Sequence, residues 1–89
     1  MSDPVAWLLV ERGWEVVSSD GQKVGNVDEV LGDENADIFD GLAVASGLLK
    51  KPKYVPAERV GEIVDGRVTL ELTQAEFDGL TEYDGNAAK

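Results

Sequence analysis

The chain has 89 residues, enough for one domain and too few for two. It carries eight Lys and Arg against 18 Asp and Glu, a formal charge of −10 at pH 7, and contains neither His nor Cys. Those absences exclude disulfides, thiolate metal sites and the Ser-His-Asp and Cys-His catalytic sets, and the acid excess argues against direct contact with nucleic acid or an anionic membrane.

Catalysis is left with carboxylates, Lys, Tyr and Ser/Thr, so the chain is expected to be no enzyme and to need no cofactor. The longest apolar run, residues 5–10, is far short of the roughly 20 residues that span a bilayer. Asp3 precedes it where a secretory leader would carry Lys or Arg. The expected setting is the cytoplasm.

In chain order, residues 1–12 predict a short N-terminal helix. Ser2 or Asp3 caps it, Pro4 suits its first position, and Gly13 stands where it stops. Val5, Leu8 and Leu9 share one face, with Trp7 on another side. This segment either plugs one end of its own domain or meets a partner. Val5, Trp7, Leu8, Leu9 and the nearby Trp14 are therefore the candidate interaction residues.

From Gly13 the pattern turns to strands. Residues 14–18 form the first, with Trp14 and Val16 on one face, followed by a turn at residues 19–22. The second covers residues 24–31, but its apolar positions, Val24, Val27 and Val30, break strict alternation, and Gly25 marks a bulge or a close backbone approach. The third covers residues 37–46. Ile38, Asp40, Leu42 and Val44 fall on its alternating face and Phe39 on the other. A basic loop with Lys50, Lys51 and Lys53 leads to a short strand over residues 54–56. Asp65-Gly66 then joins two β-prone runs, the strongest hairpin signal in the chain, and Val68, Leu70 and Leu72 alternate behind it. Thr73 with Glu76 three residues on is a capping box opening a short C-terminal helix, whose inner face holds Phe77 and Leu80. Residues 81–89 read as a frayed, flexible polar tail. Five or six short strands in so short a chain predict a mainly β fold, a small antiparallel β-barrel with a short helix at each end.

Order and spacing carry a family resemblance. Residues 19–25 (Ser-Asp-Gly-Gln-Lys-Val-Gly), residues 26–30, residues 41–44, residues 55–60 and the closing residues 68–72 together resemble the PRC-barrel family, over Gly13 to Leu80. The resemblance implies a PRC-barrel-like domain at residues 13–80 that docks onto other proteins and does not catalyse. That family includes part of a photosynthetic reaction-centre subunit and of a ribosome maturation factor. The chain lacks the membrane helix of the first and the N-terminal domain of the second, and looks more like the stand-alone members.

Asp33, Asn35 and Asp37 copy the first three side-chain positions of an EF-hand loop, but Ile38 stands where its Gly is required and Val44 where its Glu is required. With Asp40 they offer at most a weak cation contact; the plainer reading is a solvated turn, and no metal site is assigned. Tyr54, Asp40, Glu58 and Arg59 are chemistry-bearing residues that nothing in the sequence brings together. The leading expectation is a self-associating interaction module, a homodimer with a further, unidentified protein partner. The alternatives are a ribosome-linked factor acting through a protein partner and a weak divalent-cation binder.

Overall fold

The structure, a computed structural model, describes residues 7–33, 35, 38–47 and 51–83, with only the backbone of Leu8. A single 3-10 turn at Trp7–Leu9 comes first. Six strands follow: β1 Glu15–Val17, β2 Lys23–Asp33, β3 Ile38–Ala45, β4 Lys53–Pro56, β5 Val60–Val64 and β6 Arg67–Leu70. A second 3-10 turn, Ala57–Arg59, joins β4 to β5, and one helix, α1 Gln74–Asp78, follows β6. The strands form one mixed sheet in the order β4-β3-β2-β1-β6-β5. All neighbours are antiparallel except β1 and β6, which run parallel.

The expected barrel does not close. The two edge strands, β4 and β5, are consecutive in the chain but do not pair. The reason lies in β4. Tyr54 N donates to Thr81 O at 2.9 Å, so the even-numbered residues present their backbone away from β3. Two residues to either side stand Pro52 and Pro56, which have no N–H. That edge therefore offers one donor, and residues 81–83 already take it. Tyr83 N returns a bond to Pro52 O at 2.7 Å, and Lys53 bridges Glu82. The polar tail expected from residue 81 thus begins as a cover over β4.

The expected N-terminal helix is also corrected. Its described part is a single 3-10 turn, closed by Val10 N donating to Trp7 O at 3.1 Å. Val10 is buried, and Gly13 takes φ 95°, which sends the chain into β1. With Val10 tied to the core and Gly13 breaking the path, the turn ends at Leu9 and does not run on to Gly13 as a helix. Its proposed caps, Ser2, Asp3 and Pro4, lie outside the described residues.

The C-terminal helix forms as its capping box predicts. Glu76 N donates to Thr73 Oγ1 at 3.2 Å, and Thr73 N donates to Glu76 Oε1 at 2.9 Å. The helix is held because Phe77 is buried in the core. The Asp65-Gly66 hairpin also forms, pairing Val64 with Arg67 across a Gly66 at φ 85°.

Three bulges explain where simple alternation fails. Against β1, Val16 pairs with Gly25 and Val17 with Lys23, which leaves Val24 as an extra residue. Against β3, Val27 pairs with Val44 and Glu29 with Ala43, which leaves Asp28 extra. Each insertion shifts the side-chain alternation by one position. Two of them bring Val24, Val27 and Val30 to one face, and all three pack on the core. On β3, Leu31 pairs with Gly41 and Gly32 with Phe39, so Asp40 is extra. That reverses the expectation for the start of the strand. Phe39 turns toward the core, while Ile38 is 58% exposed and Asp40 faces solvent. Gly25 adjoins the Val24 bulge and marks a close backbone approach, since a Cβ there would strike the Ala45 carbonyl oxygen and lie 2.9 Å from its carbon. The core itself gathers Val16, Val27, Leu42, Val44, Val55, Val68, Leu70 and Phe77, all essentially inaccessible.

Candidate functional site

The candidate interaction residues separate in the structure. Val5 lies outside the described residues, and nothing is assigned to the Leu8 side chain. Trp14 is half-buried against the core, as its shared face with Val16 predicts. Trp7 is also half-buried. Its ring stacks on Phe39, with centroids 5.2 Å apart and planes 17° apart. Gly32 makes that approach possible, because a Cβ there would come within 3.0 Å of the indole. Since Gly32 and Phe39 are cross-strand partners, the indole lies over that pair. Among the candidates whose side chains are described, Leu9 is the one that faces outward, at 62% exposed.

Sequence reading missed Ile38. Leu9 and Ile38 are the two large hydrophobic side chains left exposed among the described residues. Leu9 stands two residues beyond Trp7, and Ile38 adjoins Phe39. The Asp40 bulge put Ile38 outside, and its sequence trace is faint: an Asp on a face that otherwise reads as core, followed by Gly41.

Two polar clusters surround the sheet. Tyr54 Oη donates to Asp40 O at 3.0 Å. Its pKa is raised above 10.0 by burial first, and then by the charges of Asp40 and Glu58. The structure thus brings Tyr54, Asp40 and Glu58 together, while Arg59 turns away to Glu76 at 3.9 Å. A phenol held more firmly in its protonated form is a poor base at neutral pH. In the β1–β2 turn, the hydroxyl of buried Ser18 accepts from Gln22 N at 3.2 Å and donates to Asp20, whose carboxyl it holds below its ordinary range. Ser18 is sealed in and its hydroxyl is engaged within this turn.

The described candidate cation ligands, Asp33, Asn35 and Asp40, form no carboxylate cluster. Asp33 accepts from Asn35 N at 3.0 Å, an Asx turn, and Asp40 occupies the bulge. Asp37 lies outside the described residues, and among the described residues no group of three carboxylates is close enough to hold a metal. Of the basic loop, Lys53 caps the end of α1, donating to Asp78 O at 3.0 Å and Leu80 O at 3.2 Å. It lines a recess of about 390 Å³ with Ser46, Lys51, Asp78 and Glu82, a mixed set of charges that selects neither sign of ligand. No helix among the described residues is long and apolar enough to cross a membrane.

Residues 10–78 match the model of an uncharacterised protein family conserved in bacteria, DUF2171, and the chain belongs to that family. This corrects the PRC-barrel resemblance: the matched span takes in most of the region on which that resemblance stood, and its family is another one. The ribosome-linked alternative stood on the same resemblance and loses its basis. No curated protein matches the chain.

Proposed function

We propose that this chain is a non-catalytic interaction module that self-associates as a dimer through the surface around Leu9 and Ile38. One observation carries the reading. A chain of net charge −10 leaves two large apolar side chains more than half exposed, each within two residues of the Trp7–Phe39 stack. Lone exposed hydrophobics are ordinary, but two of them so close in the chain to one aromatic stack are the material of an interface core. The absence of His and Cys, and a Tyr54 that keeps its proton, support a role without catalysis. A reducing, cytoplasmic setting suits a chain without Cys.

The test is sedimentation equilibrium from micromolar to millimolar concentration, comparing wild type with the double variant Leu9→Glu, Ile38→Glu. Substitution is preferable to truncating residues 1–10, because Val10 is buried and Trp7 packs on the core. The expected result is a wild-type dimer at high concentration and a monomeric variant with an unchanged melting temperature. A wild type that stays monomeric throughout, or a variant that still dimerises, overturns the reading.

A further inference from the structure

The sheet treats its two edges differently. At β4, the two prolines and residues 81–83 leave no free donor on the outer side. At β5, no strand lies beyond Val60–Val64 among the described residues, and none of these five residues is a proline. An uncovered edge is a row of unpaired donors and acceptors, the template for strand addition.

We propose that the outer edge of β5 accepts an extended, Lys- or Arg-bearing peptide segment as a seventh strand. Charge complementarity selects that occupant. Glu62 is exposed on β5, Glu58 is exposed just before it, and Asp65 just after it. β5 itself carries no Lys or Arg; of the two cations beside it, Arg59 lies 3.9 Å from Glu76 and Arg67 stands on β6 opposite Val64, which leaves the three carboxylates in excess. A second copy of β5 is disfavoured, since antiparallel pairing about its centre sets Glu62 against Glu62. The pairing run is short. Val60 pairs with Leu70 and Ile63 with Val68, so one extra residue bends the strand between them and leaves Glu62 to Val64 as the regular stretch. The contact is therefore weak and set by backbone bonds plus charge. This surface does not depend on Leu9 and Ile38.

The experiment is a two-dimensional NMR titration of the full chain with an end-capped alternating Lys-Val decapeptide. A second peptide of the same sequence is N-methylated along one edge, which keeps its charge and removes its donors. The expected result is shift changes and slowed amide exchange at residues 61–64, with binding at least about tenfold weaker for the N-methylated peptide. Glu62→Lys, an exposed change, should weaken binding with the unfolding curve preserved. The Leu9→Glu, Ile38→Glu variant should bind as wild type does, so this proposal and the dimer reading fail separately. Equal binding by the two peptides, shifts that bypass residues 61–64, or no binding at millimolar peptide would each overturn the proposal.

Discussion

Replacing Trp7 by Ala decides whether that residue belongs to its own core or to a partner. A buried Trp covers ~150–250 Å², so a half-buried one covers about 100 Å². At ~25 cal/mol per Å² that burial contributes about 2.5 kcal/mol. The stack on Phe39, at 5.2 Å between centroids, adds ~0.5–1.5 kcal/mol. The sum is an upper bound because denatured chains already bury some surface, so a loss of about 2–3 kcal/mol is expected. A domain of this length has roughly 4–13 kcal/mol to lose, so the variant should still fold. Leu9→Ala is the control: at 62% exposure its effect should stay within about 0.5 kcal/mol.

The assay is urea unfolding followed by circular dichroism at low protein concentration, where self-association does not inflate stability. With a slope of ~1–3 kcal/mol per molar urea, Trp7→Ala should lower the midpoint by about 1–2 M. The melting temperature should fall by about 10–20 °C. If Trp7→Ala costs less than about 0.5 kcal/mol, the 3-10 turn is not part of the core. The assignment of Phe39 to the inner side of the bulge would then fall with it.

Further outcomes follow from the same geometry. Thr73→Ala removes one half of the capping box and should cost about 1 kcal/mol in urea unfolding, with α1 and Phe77 loosening together. Gly25→Ala drives a methyl into the Ala45 backbone and should cost at least ~1–3 kcal/mol, seen as a lower melting temperature or lost soluble expression. Asp20 has a lowered pKa from the Ser18 hydroxyl, so its stabilising contribution is present above its unfolded value of 3.8 and is lost as pH falls through the folded value. Asp20→Asn should flatten the acid limb of stability against pH. Tyr54 is raised above 10.0, so its contribution is complete below pH 10 and is lost as pH rises through the folded value; Tyr54→Phe should flatten the alkaline limb.

The elements legible in the sequence are those whose signal is local. Asp65-Gly66 needs only its own backbone to set a hairpin, and Thr73 with Glu76 needs only one turn of helix. Val68 and Leu70 alternate in β6 and Leu72, just beyond it, is buried with them, so their face followed from spacing alone. The failures are relational. Whether Asp40 is in register or extra depends on where β2 sets its partner residues, and that one residue decides which of Ile38 and Phe39 faces water. Barrel closure likewise depends on two distant strands meeting. Pro52 and Pro56 were visible throughout, but their common spacing from Tyr54 on the outer edge gains meaning only once β3 occupies the inner one. The proposed dimer surface was half legible for the same reason: Leu9 came from a local apolar run, Ile38 from a bulge.

The acid excess links the two proposed surfaces, because they respond to salt in opposite directions. Two copies at −10 repel each other, and that repulsion opposes an apolar contact through Leu9 and Ile38. Raising ionic strength from about 0.01 to 0.5 M shortens the Debye length from roughly 30 Å to under 10 Å, so most of that repulsion is screened. Dimerisation should therefore strengthen. A basic strand on β5 gains from the same charges, above all from Glu62 and Asp65, so its binding should weaken over the same range. The backbone bonds of an added strand are short-ranged and survive screening, which leaves a residual, salt-insensitive component. Sedimentation and peptide titration in one salt series measure both. Dimerisation that weakens with salt would mean that charge pairs, not Leu9 and Ile38, hold the copies together. Peptide binding that vanishes completely at high salt would mean that no strand is added.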